Sequence, residues 1–403
     1  MKVLLVSQFF YPESGASQIR LLEMSKYLTT VGHDVEVITA LPNYPKGKVY
    51  EGFKKKIFAN SYIEKIKINH LFIFPSSSKN IIIRFFASLS FSVSLVLFSA
   101  FKKEKKYDIV ISETPPLNIA YLTYFLNRFF YKSSFILNVS DSWPLALFDL
   151  NILKSDSFIG KLLIKIEKQL YKSSAGCIGQ SEEIINRIKE VNPNSKILTY
   201  SNSVNSKDFI EFPKNYEPTN KDKPYRLVYA GLLGLAQEVS KYIENIPFEE
   251  LGYELHIYGE GPDVENINNK LKSHKGVFYH GYSNYETIAS NLGSFDFSFI
   301  PMIQYVRGTV PAKTYESMAA GLPIIMAASG EASRLITTNK IGWVSSPSDY
   351  ESLIENLKQI KNVDRDELLE MSRRCRKLAV ETYDRSYQNE KLGAFISSLK
   401  NDH

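Results

Sequence analysis

Short apolar runs alternate along the chain with longer segments whose apolar positions recur at helical spacing. Residues 2–6 (KVLLV) are an unbroken aliphatic run, as expected of a buried strand. A polar loop containing Gly15 follows, and then IRLLEMSKYL, where Ile19, Leu22, Met24, Tyr27 and Leu28 roughly follow helical spacing. DVEVITAL reads as a second strand. Strand, loop, helix and strand predict a βαβ unit with parallel strands and a right-handed crossover. The runs DIVISE, SFILNV and GCIG continue the alternation.

The rhythm restarts beyond residues 211–224, a polar, proline-containing stretch. YRLVYAG, YELHIYG, VFYHG, DFSFIP, GLPIIMA and IGWVSS are strand-like runs set between helical segments, and a polar helical tail closes the chain. The fold class is α/β, with two doubly wound parallel-sheet domains joined near residues 205–224. We place them at 1–205 and 206–385, and expect a last helix, 386–403, to pack back on the first. Ligands in such sheets bind beyond the carboxyl ends of the strands, so two facing domains predict a cleft.

Composition narrows the class. The 403 residues are 44% apolar and 23% charged, ordinary for globular chains. Two distant cysteines, Cys177 and Cys375, make neither a disulfide framework nor a metal motif. A start without a signal-peptide pattern leads us to expect the cytoplasm. The net charge of +6 is far from a nucleic-acid signature but suits phosphorylated ligands or an anionic membrane face. Residues 85–101 (FFASLSFSVSLVLFSAF) carry no charge and run into KKEKK at 102–106. They read either as a core helix or as a membrane-docked helix with lysines at the headgroups. FKKKIF (53–58) is open in the same way, as a solvated charge run or a basic-aromatic membrane patch.

The chemistry gathers in RGTVPAKTYESMAAGLPIIM (307–326). Pro311 suits a helix start, Gly321 a stop, and Pro323 blocks continuation, which gives a helix over about 311–320. Free amides at its start favour an anion such as a diphosphate, and Lys313 adds a point charge there. Glu316 lies three residues on, on the same face, where a carboxylate can accept both hydroxyls of a ribose. An intrahelical Lys–Glu pair on a solvated surface is the plain alternative. His33, in a helix-to-strand turn, and His280 read as structural. Residues 112–116 (SETPP) end a strand as either an acceptor contact or a simple turn.

These stretches, together with VYAGLLGLAQEV, LHIYGEGP, VFYHGYSNYETI, VSDSWP and TYSNSVNSKDF, resemble the retaining glycosyltransferases of family 4 over nearly the whole chain. The branch they resemble contains bacterial N-acetylfucosamine transferases of O-antigen and capsule assembly. The resemblance implies a GT-B fold with a nucleotide-sugar donor, UDP-linked, on the second domain and the acceptor mainly on the first. It assigns Glu316 to the donor ribose, Lys313 to the diphosphate and Thr309 to the donor site. It also brings the backbone of residues 231–235, with Gly231 and Gly234, to the phosphates or sugar, and sets the turn 280–282, with Tyr282, beside the nucleobase. Gly15 would let backbone approach the diphosphate, and Asp141 would face the acceptor or the reacting sugar. No cofactor and no metal are expected. The acceptor would be a polyprenyl-diphosphate-linked saccharide, reached by peripheral contact with the inner face of the cytoplasmic membrane.

The chain departs from that family's pattern at three places. Gly308 stands where many members carry a second glutamate, and Leu232 and Gln237 where many carry arginine and lysine. Diphosphate charge then falls on Lys313, the helix amides, and Arg307 or Arg20. Two rival readings follow: a GT-B-fold UDP-N-acetylhexosamine epimerase, or a nucleotide-sugar-binding partner of another transferase without activity of its own.

Overall fold

In the computed structural model, residues 1–78, 81–102, 106–210, 223–234 and 236–399 are described. Most of the expected linker, the lysine run at 103–105 and Leu235 lie outside them. The chain divides into two compact units, Met1–Asn202 with Asn389–His403, and Ser203–Gln388. Each is a parallel α/β sheet between helices, the doubly wound class expected from the alternation.

Unit 1 holds β1 (Lys2–Val6), β2 (Asp34–Ala40), β3 (Phe58–Ile63), β4 (Ile66–Leu71), β5 (Ile109–Thr114), β6 (Ser134–Val139), β7 (Gly176–Gly179) and β8 (Ile197–Thr199). Their order is β3-β4-β2-β1-β5-β6-β7-β8, parallel except for the antiparallel pair of β3 with β4. On β1, Val3 and Leu5 enter one core while Leu4 and Val6 enter another. A sheet buried on both faces needs such a two-sided aliphatic strand. The first core takes Leu21, Met24 and Leu28 of α1 (Ala16–Thr30) and Leu392 and Ile396 of the last helix, Arg385–Ser398. The second takes Phe91 and Leu95 of α2 (Ile81–Phe101) and Ile119 and Leu126 of α3 (Leu117–Leu126).

α1 departs from its expected stripe. Ile19 is exposed, while Gln18 and Arg20 are buried. The helix is therefore apolar where it lies on the sheet and polar where its first turn meets the strand ends.

Unit 2 holds β9 (Tyr225–Ala230), β10 (Tyr253–Tyr258), β11 (Val277–Tyr279), β12 (Phe297–Pro301), β13 (Ile324–Ala327) and β14 (Gly342–Ser345). All are parallel, in the order β11-β10-β9-β12-β13-β14. The same alternation operates, with Ile325 and Ala327 of β13 in one core and Ile324 and Met326 in the other. Val204 and Asp384 pair as a parallel bridge, and the Asp384 carboxylate accepts from Ser206 N at 3.0 Å and Ser206 Oγ at 2.6 Å.

Candidate functional site

In unit 2 the helix Ala312–Ala319 starts after an extended Pro311 and ends at Gly321, whose φ of +66° closes it. The Ser317 hydroxyl lies 2.6 Å from Ser298 Oγ on β12 and 2.7 Å from Lys313 O. Arg376 donates to Ala319 O, satisfying a carbonyl at the helix end, and at 2.9 Å to Ser206 O. With its far end held, the helix directs its first turn to the carboxyl end of the sheet.

There Lys313 Nζ sits 4.9 Å from the centre of the Tyr229 ring. The lysine also packs on Gly231, where a Cβ would lie 2.4 Å from its Cε and 2.7 Å from its Nζ. Gly231 has φ +141° and Gly259 φ +146°, and a Cβ on Gly259 would lie 1.9 Å from Gly231 O. Only glycine tolerates this approach of β10's end to β9's end. Gly231 N donates to Tyr258 O at 2.9 Å, and Gly259 N donates to Gly281 O at 2.8 Å, which joins the 280–282 turn to the same edge. Tyr282 is exposed there, and the His280 ring stacks on Tyr258 at 4.5 Å.

Glu316 follows Lys313 by one turn and is half-buried. Burial pushes its carboxyl above the usual carboxylate range, opposed by the charges of Lys313 and Arg385. A half-buried carboxylate near two cations can accept hydrogen bonds from a diol. Thr309 lines a small depression with Met302, Tyr305, Pro311, Ala328 and Ser329. Gly234 lies next to Gln237, and Leu232 is half-exposed.

Unit 1 carries a different edge. Arg20 is buried and donates to Gln180 Oε1 at 2.6 Å, to Asn202 Oδ1 at 2.9 Å and to Ser140 Oγ. Its guanidinium lies 3.6 Å from the carboxylate of Glu113, which accepts from Asn138 and Ser140. Burial raises the Glu113 carboxyl to about 7, against the pull of Arg20. Asp141, just past β6, is raised in the same way, chiefly by burial, with Arg20 opposing. Glu13 completes the edge. Its Oε1 accepts from Asn43 N at 2.7 Å and Tyr44 N at 2.8 Å, Oε2 is buried without a hydrogen bond, and burial raises the group to about 7. Gly15 caps α1 in an extended conformation, φ 174°, where a Cβ would meet only the movable end of Gln18.

Residues 211–381 match the family described as glycosyl transferases group 1. The probable glycosyltransferase WbjE of Pseudomonas aeruginosa is 24% identical over 81% of this chain and 84% of its own. The putative colanic acid biosynthesis glycosyltransferase WcaL of Escherichia coli is 21% identical over 37% of this chain and 38% of its own. Among solved structures, sucrose-phosphate synthase of Thermosynechococcus elongatus superimposes with a TM-score of 0.75 at 13% identity, covering all of both chains. Anabaena Alr3699/HepE, in complex with UDP, superimposes at 0.68 with 12% identity over 99% of this chain and all of the other. Together these support a glycosyltransferase of GT-B fold.

Of the expected donor residues, the structure brings Lys313 and Gly231 into contact and places Glu316 one turn from them. Gly15 and Asp141 belong to unit 1 and are described with it. Arg20, one of the candidates for diphosphate charge, spends both terminal nitrogens inside unit 1. Sequence reasoning missed Glu13, and it marked Glu113 only as part of SETPP, left open between an acceptor contact and a turn. The only signal for them was a carboxylate in each of two loops that follow or end a strand, SETPP and YPESG. Among the described residues no group of three or more His, Cys, Asp or Glu side chains is placed to hold a metal ion.

Proposed function

We propose that this protein transfers a sugar, with retention of anomeric configuration, from a UDP-linked donor to a polyprenyl-diphosphate-linked saccharide at the inner face of the cytoplasmic membrane. The product enters a bacterial surface polysaccharide, and an aminosugar such as N-acetyl-L-fucosamine is the donor sugar. The observation that carries the reading is the convergence of Lys313, the glycine edge at Gly231 and Gly259, and the start of the helix bearing Glu316. Polysaccharide assembly is supported by the likeness to WcaL, and a uridine nucleotide by the likeness to HepE with UDP.

In this mechanism the bond from the anomeric carbon to the diphosphate oxygen breaks with oxocarbenium character. Negative charge grows on the diphosphate, where Lys313 and the first amides of the helix stabilise it. An acceptor hydroxyl bonds to the same face of the carbon, and its proton passes to a departing phosphate oxygen. Glu316 holds the ribose, and Asp141 positions the acceptor.

The test is transfer from a panel of UDP-sugars to lipid-linked saccharides, with the product anomer read by NMR. The reading expects acceptor-dependent transfer with retained configuration, reduced by roughly 100-fold in Asp141→Asn through misplacement of the acceptor. An inverted product, or a donor epimerised without acceptor, would contradict it.

A further inference from the structure

Helix α2 is turned inside out. Its buried side is small and polar, with Ala87, Ser88, Ser92 and Ser99 beside Phe91 and Leu95. Its outward side is large and apolar. Ile82, Phe86, Val93 and Leu97 are each more than half exposed, and Phe101 is 82% exposed. They recur at helical spacing along one stripe, the reverse of a helix that lies between a core and water. Mean hydropathy over Ile82–Phe101 is 1.8, with only a third of the segment buried.

The apolar surface continues onto neighbouring elements. Phe58, at the start of β3, stacks on Phe98 at 5.6 Å, and Ile57 beside it is 77% exposed. Beyond β4, Phe74 N donates to Ser90 Oγ at 2.7 Å, which sets the exposed Phe74 next to the helix. At the other end, on the packed side of α2, the Tyr131 hydroxyl donates to Ser99 Oγ at 2.6 Å, and Phe129 and Phe130 just before Tyr131 in the chain are exposed. Exposed cations are interleaved with these groups: Lys55 and Lys56 before Ile57, Arg84 in the first turn of α2, and Arg128 and Lys132 flanking the phenylalanines. The nearby Glu51 is paired with Lys54.

A helix of this length and composition is long enough to cross a bilayer. It cannot do so here, because it joins β4 to β5 of one sheet and packs its serine side on α3 and β4. It can lie in the plane of a membrane, with its apolar stripe at the acyl boundary and the cations at the headgroups.

We propose that the outward face of α2, with residues 55–58, 74 and 128–132, is a docking surface for anionic lipid bilayers. This deepens the membrane part of the proposed function, but it stands on unit 1 alone and its test reads binding rather than turnover. The full chain is floated with vesicles of phosphatidylcholine alone and of phosphatidylcholine with phosphatidylglycerol, in parallel with calorimetric UDP binding.

The parent chain is expected to float with the anionic vesicles and only weakly with the neutral ones. Phe86→Ser with Leu97→Ser should lower binding at least tenfold. Lys55→Gln with Lys56→Gln should lower it roughly fivefold per lysine at low salt, leaving the weak neutral-vesicle binding. Both pairs are exposed, so circular dichroism and UDP binding should be unchanged. A parent chain that stays with neither vesicle, or apolar variants that float like the parent, would overturn the proposal. So would light scattering showing a dimer that the apolar variants dissociate while vesicle binding persists, because a second copy would then cover the face.

Discussion

The two units end their sheets in opposite ways. In unit 1 the carboxyl edge is filled with side chains that bond to one another: Arg20, Glu113, Asn138, Ser140 and Gln180. In unit 2 the corresponding edge is emptied of side chains, so that the backbone at Gly231 and Gly259 meets directly and Lys313 lies against it. The filled edge keeps charge inside, and burial raises its carboxyls. The bare edge leaves the Lys313 ammonium lying on backbone, with no side chain between them. One doubly wound architecture thus ends in two different chemistries, and the difference lies in which residues end the strands.

The largest effect should come from breaking the filled edge. Arg20→Met leaves Glu113 buried without its cation and should cost about 3–5 kcal/mol by denaturant unfolding. The loss should be greatest above about pH 7, where Glu113 ionises in the parent. Next is the bare edge. Gly259→Ala puts a methyl 1.9 Å from Gly231 O at φ +146°, so backbone must move. We expect a cost of about 2–3 kcal/mol, seen as faster hydrogen exchange confined to unit 2, and lost nucleotide binding. Gly15→Ala at the filled edge displaces only the end of Gln18 and should cost less than about 1 kcal/mol.

Glu13 gives a pH test of intermediate size. Its folded value, about 7, lies above its unfolded one, so the folded state holds the extra proton. Stability is then lost as pH rises from the ordinary carboxylate range through about 7. Parent protein should lose on the order of 3 kcal/mol over that range through this group, and Glu13→Gln should lose correspondingly less. Equal pH slopes in the two proteins would show that folding does not raise the Glu13 carboxyl.

Much of this contrast was legible in the chain, though unevenly. Aliphatic runs such as KVLLV and PIIMA announce parallel strands because both faces are buried, and Pro311 and Gly321 mark the ends of the Lys313 helix. The filled edge was hidden because Arg20 read as a candidate for diphosphate charge rather than as a buried partner of other side chains. Arg20 is buried only because Gln180, Asn202 and Ser140, more than a hundred residues away in sequence, accept its donors. Strand β3 was not expected, since FANSYI lacks an apolar run and pairs only at the sheet margin. The outward face of α2 was undecidable from composition, because a core helix and an inverted one contain the same residues and differ in which side meets the sheet.

The central claim, that the bare edge with Lys313 and Glu316 is the donor site, is tested most directly by calorimetric titration with UDP, GDP and TDP. The titration is made on the parent chain and on Lys313→Ala and Glu316→Ala. UDP-selective binding in the parent, weakened about tenfold or more in each variant, is the predicted result. Absent nucleotide binding, or binding that ignores both substitutions, would contradict it.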